Sequence, residues 1–145
     1  MYSNYNTTAN YSTFFSSFSW SHTAVLRTHY HISESASDSF ADKLLKKENQ
    51  LGEKIISNLF FTIEKDIRKY RDTYLDNCVK NINHMHMVMN LTDDITKKLF
   101  VEILGVNQKQ VTYFEKINDK NAILQYVSKE MLYKSSHYNI YINEK

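Results

Sequence analysis

The sequence has few of the residues that most often interrupt regular structure. Its 145 residues include no proline and only two glycines. Because helices tolerate proline and glycine least, this scarcity favours long helices. The single cysteine, Cys78, excludes an intramolecular disulfide and indicates a reducing, intracellular compartment such as the cytoplasm.

Long apolar segments and export signals are also lacking. No stretch approaches the roughly 18 uninterrupted apolar residues that mark a membrane-spanning helix. Residues 1–26 carry neither the basic start nor the continuous apolar segment of a signal peptide. We therefore expect no membrane association.

Neither sign of charge dominates the chain. It has 18 Lys and Arg against 16 Asp and Glu, and the formal charge of +2 identifies no partner by itself. Glycine-rich phosphate loops, nucleophile elbows and paired cysteines are missing. Asp93 and Asp94 are explained by the start of a helix rather than by acid–base catalysis. The sequence therefore predicts a protein that is not an enzyme and uses no cofactor.

The composition fits a single domain over residues 1–145, made of three parts. Residues 1–36 form a polar arm whose aromatic residues we expect to dock on the body or on a partner. Weak alternation in residues 24–32 and in the tail, residues 137–145, predicts at most a short two-stranded ribbon. The aromatic residues of the arm are Phe14, Phe15, Phe18 and Trp20.

The second part, residues 37–90, carries apolar residues at helical spacing. This spacing predicts one long helical segment, with a break near Gly52 or around residues 81–83. Its broad apolar stripe suits packing against a body or against a second copy in a homodimer. The stripe comprises Phe40, Leu44, Leu51, Ile55, Leu59, Ile63, Ile67, Tyr70, Tyr74, Cys78, Ile82, Met85 and Met89.

The third part, residues 91–145, predicts a unit resembling a helix-turn-helix, followed by a tail. The cap and acidic residues at 92–94 indicate the start of a helix that ends at Gly105. A second helix is predicted from Asn107 and a third over residues 120–134. The predicted fold class is therefore mainly α: a helical bundle with one long helix, this C-terminal unit and at most the short ribbon.

Apolar residues on both sides of Gly105 are spaced to hold two helices together at a tight turn. They leave a polar face that can contact DNA, because Asn and Gln can read adenine and Lys can reach phosphate or guanine. The outward residues of this face are Asn107, Gln108, Lys109, Thr112 and Tyr113.

The segment LFVEILGVNQKQVTYFEKI, residues 99–117, resembles the helix-turn-helix of MerR-type and phage-repressor-type regulators. In those families a Leu-Gly-Val turn precedes a polar run, and in the MerR type an aromatic pair is followed by Glu-Lys. The resemblance covers residues 95–119. It implies that Gln108, Lys109, Thr112 and Tyr113 lie at the DNA surface.

Two pairs of histidines are the local candidates for metal binding. On a strand, His29 and His31 would share a face and can bind one ion. On the predicted long helix, His84 and His86 would point away from each other and cannot chelate one ion. Surface or packing roles explain these histidines more simply, and we predict no metal site.

The sequence thus predicts a small, non-catalytic DNA-binding transcriptional regulator that forms a homodimer through the long helix and has double-stranded DNA as its partner. The alternative is an all-helical interaction protein that binds another protein through residues 40–89 or through the aromatic arm. The abundance of Asn, Lys, Ile and Tyr suggests an A+T-rich source, such as a phage, a mobile element or a parasite.

Overall fold

The computed structural model describes residues 13–65, 83–126 and 135–143. Five strands in this part of the chain form one antiparallel sheet with the order β4-β1-β3-β2-β5. Residues 13–16 are helical, and a 3₁₀ turn spans Gln108–Gln110. The other elements, in chain order, are β1 (His22–Leu26), α1 (Glu34–Lys46), β2 (Ile56–Lys65), β3 (Asn83–Leu91), α2 (Lys97–Leu104), β4 (Val111–Lys116), α3 (Lys120–Tyr126) and β5 (Ser135–Ile142).

The predicted fold class, a mainly α helical bundle, is wrong because a five-stranded sheet organises the molecule. The predicted long helix of residues 37–90 is correct only in its first part, where α1 ends at Lys46. The chain does break near Gly52, which lies in a turn with φ 77°, but it continues into β2. Residues 66–82 of the predicted helix lie outside the described residues.

The reason for this error lies in the spacing of the apolar residues. A step of four residues is close to one turn of a helix, but it is also two full repeats of a strand. Leu59 and Ile63 therefore share one face of β2, and Met85 and Met89 share one face of β3. Since both faces of these strands are buried, their apolar residues do not show the clean alternation of an exposed sheet.

One side of the sheet is covered by α1 and α2, and we call this side the helix face. Ala41 and Leu44 of α1, with Phe100 and Leu104 of α2, pack there in the main core cluster. The strand residues in that cluster include Ala24, Leu26, Leu59, Phe61, Ile63, Met85, Met87, Met89 and Val111. The methionines of β3 therefore serve core packing rather than an exposed partner surface.

The opposite side, which we call the aromatic face, is partly covered by residues 13–20. Phe15 and Trp20 are buried there against Phe60 and Val88, and the Phe15 and Phe60 ring centroids are 4.9 Å apart. Trp20 Nε1 donates a hydrogen bond to the carbonyl oxygen of Phe15 at 2.8 Å. For these residues, the expectation that the arm docks on the body is confirmed.

The prediction that residues 24–32 and the tail pair with each other in a two-stranded ribbon is wrong. The first strand is His22–Leu26, and it pairs with β3 and β4. The tail does form a strand, β5, but its partner is β2. The alternation of residues in the tail thus indicated a strand correctly. The partner of that strand could not be predicted, because β2 had been predicted as part of a helix.

The segment around Gly105 contains one helix and not two. Helix α2 begins after Thr96, whose side chain caps Leu99 N–H, one turn later than the predicted start at 92–94. It ends at Gly105, whose φ of 71° lies in the left-handed region. The Gly105 N–H donates hydrogen bonds to the carbonyl oxygens of Val101 and Glu102. The predicted second helix is instead the 3₁₀ turn followed by β4. The run Val-Thr-Tyr-Phe at 111–114 consists of residues that favour strands.

Substituting Gly105 by alanine is expected to lower the free energy of unfolding by about 1–2 kcal/mol, because an L-residue with a Cβ is strained in the left-handed region. The nearest atom to an added Cβ is Lys43 Nζ at 3.7 Å, which is ordinary contact. Gly105→Asn should cost less, since asparagine tolerates this conformation. Urea denaturation would measure both losses. An equal loss for both variants would contradict a backbone origin.

His22 is a buried histidine at the edge of the helix face. Its ring stacks on Phe114 with centroids 5.3 Å apart, and Ser21 Oγ lies 2.7 Å from its Nδ1. Burial is the main influence that lowers the pKa of His22, and the Lys116 charge adds to it, while Asp93 acts in the opposite direction. The folded protein therefore favours the neutral ring.

Because the pKa of His22 is lower in the folded than in the unfolded state, the neutral ring stabilises the fold fully above the unfolded pKa. This stability is lost as the pH falls through the folded pKa. His22→Asn, which does not titrate, should therefore lose less unfolding free energy than the wild type between about pH 7.5 and pH 5. Urea denaturation at each pH would measure the difference, with the exposed loop substitution His29→Asn as control. Equal pH dependence in wild type and His22→Asn would contradict the prediction.

Candidate metal centre

Three side chains with metal-ligand chemistry meet on the aromatic face. Glu64 comes from β2, and His84 and His86 come from β3. The antiparallel register places Glu64 opposite His84 and Thr62 opposite His86. Because alternate residues of a strand point to the same side, both histidines and the carboxylate share one face.

The start of β3 is held in place by a side chain next to the site. The Asn83 side chain accepts a hydrogen bond from Ile32 N–H at 2.8 Å and donates one to the Ile32 carbonyl at 2.9 Å. Both residues are buried. This two-way contact fixes the position of Asn83, and hence the strand segment that carries His84.

The ligand atoms are close enough to surround one ion. His84 Nε2 lies 3.0 Å and His86 Nδ1 lies 3.9 Å from the same carboxylate oxygen, Oε2 of Glu64. One ligand atom from each of the three side chains lies within 4.8 Å of the others. A tetrahedral zinc ion with bonds of about 2.1 Å separates its ligand atoms by about 3.4 Å. Small side-chain rotations would therefore suffice to bring the three groups onto an ion.

The site is buried and the carboxylate is ionised. Glu64 is 5% exposed and His84 is 8% exposed. Burial raises the pKa of Glu64, but hydrogen bonds and charge interactions with His84 and His86 outweigh it and lower the pKa to about 2. The carboxylate is therefore in its anionic, metal-binding form at neutral pH.

A buried ion pair without metal is the simpler explanation of the short Glu64–His84 contact. Such pairs occur in proteins and need no ion. However, this explanation uses only one oxygen of the carboxylate. Among the described residues, the other oxygen, Glu64 Oε1, is buried without a hydrogen-bond partner, and such groups are rare in native structures. A further group at this position would remove that cost.

No protein-family model matches this chain, and no curated protein or solved structure matches it. The chemistry of the site is therefore inferred from its own residues.

The sequence-based treatment of the histidines was wrong about their geometry. His84 and His86 lie on a strand, so they share a face instead of pointing apart. His29 and His31, which were expected to share a strand face, lie in an exposed loop after β1. In the described part of the chain, the one group of three ligand residues whose ligand atoms lie within 4.8 Å of one another contains neither of them. The missed signal was the alternation His-Met-His-Met at 84–87, which fits a strand with methionine in the core.

The residues predicted to contact DNA are all exposed, but they lie on a turn and an edge strand. The Asn107 side chain is engaged in capping the 3₁₀ turn, where it accepts from Lys109 N–H at 3.1 Å. Tyr113 donates a hydrogen bond to Glu115 at 2.9 Å. Gln108 belongs to the turn and Thr112 to β4, so the predicted recognition helix is not formed. DNA contact by these residues stays a prediction.

In the described residues, no helix combines the length and apolar character needed to cross a membrane. Asp93 and Asp94, which were assigned to a helix start, are exposed in the turn before α2.

Proposed function

We propose that this protein binds one divalent transition-metal ion through Glu64, His84 and His86. The observation that carries the proposal is the convergence of two imidazoles and one ionised carboxylate on a single buried point of the sheet. Two histidines and one glutamate form an established ligand set for zinc, and imidazole also suits copper, iron and nickel. Zinc is the ion of choice for the first test because it accepts irregular four-coordinate sites.

The ion would join the two neighbouring strands β2 and β3. Glu64 lies near the end of β2, whereas His84 and His86 lie near the beginning of β3. A bound cation would compensate the buried charge of Glu64 and constrain these strand ends. Metal binding is thus expected to stabilise the fold, because the unfolded chain does not hold the three ligands together.

Calorimetric titration of the metal-free chain with Zn²⁺ is expected to show one ion bound per chain. His86→Ala should weaken the affinity by more than about 100-fold, since loss of even an outer partner of a ligand costs about 10–100-fold. At free zinc of 100 times the dissociation constant, the wild type should gain about 2.7 kcal/mol in unfolding free energy.

The matched control is His137→Ala. His137 also contacts a carboxylate, Asp38, with 3.1 Å between its Nε2 and Oδ1, but it lies on β5 away from the three ligands. Zinc affinity should be unchanged in this variant. Equal zinc affinity in the wild type and in His86→Ala would contradict the proposal and leave the buried ion pair as the explanation of the cluster.

A further inference from the structure

A buried threonine hydroxyl lies beside the proposed metal ligands. Thr62 precedes Glu64 by two residues on β2, so both side chains lie on the aromatic face. It is also the direct cross-strand partner of His86. Directly opposed residues in an antiparallel pair have Cβ atoms about 4.5–5.5 Å apart, which brings the hydroxyl within reach of the site.

Thr62 Oγ1 and Glu64 Oε1 are buried polar atoms at this place, and neither has a hydrogen-bond partner among the described residues. Thr62 is fully buried. Each such atom costs free energy, because it has lost its contacts with water without replacement. One small polar ligand between them would satisfy both, whereas a purely structural ion pair would satisfy neither.

Three protein ligands also leave one position open on a four-coordinate ion. Structural zinc sites are usually closed by a fourth protein ligand, whereas sites with three protein ligands hold water in the fourth position. The candidate centre supplies three ligands: Glu64, His84 and His86. The neutral hydroxyl of Thr62 beside them can hold a water molecule or an anion by a hydrogen bond.

We infer that Thr62 Oγ1 and Glu64 Oε1 hold a water molecule on the fourth coordination position of the ion, and that this position exchanges with small monodentate anions. This inference rests on the proposed metal binding. The chemical class of ligand is set by the burial of the site, which suits a group of a few atoms rather than a large substrate. Thr62 is thus a positioning residue, and the ligand bond is made to the metal.

The test uses the full-length chain loaded with Co²⁺, whose visible absorption reports its coordination, and azide as the small anion. In the wild type, azide should change the cobalt spectrum saturably. Thr62→Ser retains the hydroxyl and should respond as the wild type does. Thr62→Val removes the hydroxyl at nearly constant volume and should raise the azide dissociation constant about 10-fold, because hydrogen bonds to an anion are stronger than those to water.

Two further variants make the outcome decisive. Thr62→Ala also lacks the hydroxyl and replaces Thr62→Val if the latter does not fold, as judged by circular dichroism. Thr23→Val alters another buried threonine of the aromatic face, opposite Val88, and should leave the azide response unchanged.

The results separate the two proposals. A cobalt spectrum that azide does not change would overturn the open coordination position while leaving metal binding intact. A wild-type azide response in the variants without a hydroxyl would overturn the role of Thr62. Absence of cobalt binding by the wild-type chain would overturn this inference together with the proposed function.

Discussion

Replacing His84 by alanine in the metal-free protein is expected to lower the free energy of unfolding by about 3–5 kcal/mol, because it leaves the buried carboxylate of Glu64 without its closest partner. Glu64 would retain only the more distant His86, at 3.9 Å, as a partner from this cluster. Urea denaturation in the presence of a chelator would measure the loss.

A matched pair elsewhere in the molecule gives the control. His137 and Asp38 are 3.1 Å apart, almost the same distance as His84 and Glu64, but their side chains are 20% and 44% exposed. Solvent screens this contact, so its loss in His137→Ala should cost less than about 1 kcal/mol. Equal losses in the two variants would show that burial does not determine the strength of these contacts.

A second variant distinguishes charge from packing. Adding Glu64→Gln to His84→Ala removes the uncompensated charge and should recover part of the lost stability, in a double-mutant cycle. If the double variant is no more stable than His84→Ala, the loss arises from the missing imidazole volume, and the buried charge of Glu64 is not its cause.

Substituting Phe60 by alanine is expected to lower the unfolding free energy by about 3–5 kcal/mol, as for other large-to-small changes at buried aromatic positions. Phe60 is fully buried, and it packs against Phe15 on the aromatic face. Its removal creates a cavity and withdraws the surface on which residues 13–20 dock. Urea denaturation measures the loss.

The control for Phe60 is Tyr138→Ala on the neighbouring strand β5. The Tyr138 ring centroid is 6.3 Å from that of Phe60, but Tyr138 is 44% exposed. Its substitution should therefore cost less than about 1 kcal/mol. In the double variant Phe15→Ala/Phe60→Ala the two losses should be less than additive, because the rings are in contact. Full additivity would contradict direct packing of these rings as a source of the stability.

Local signals in the sequence predicted several element ends correctly. The start of α1 has a local cause, because the Ser33 side chain caps the helix by accepting a hydrogen bond from Ala36 N–H. The helix that ends at Gly105 was predicted, as was the start of α3 near Lys120. These features depend on a few neighbouring residues, so the sequence is sufficient to specify them.

The sheet was not predicted because its evidence is spread along the chain. The four-residue steps from Leu59 to Ile63 and from Met85 to Met89 suit a helix and a strand equally. What decides between them is the pairing of β2 with β3 and β5, and of β3 with β1. Such pairing involves residues far apart in sequence, and a single sequence gives little information about it.

The candidate metal centre was missed for the same reason. His84 and His86 were recognised as metal-ligand residues, but they were predicted to lie on a helix, where their side chains would point away from each other. Glu64 is 20 positions from His84 and joins the site only through the β2–β3 register. Once the strand is known, the two histidines and the carboxylate follow directly from alternation and register.

The strand order β4-β1-β3-β2-β5 has a consequence for the kinetics of folding. Among the described strands, only the β2–β3 pair joins strands that follow each other in sequence, whereas β1 with β3, β1 with β4 and β2 with β5 join strands with other described strands between them. Proteins dominated by such non-local pairings fold slowly, in about milliseconds to seconds, because long loops must close before their contacts form. The β2–β3 pair, which carries the candidate metal ligands, has the smallest separation in sequence of the four strand pairs described.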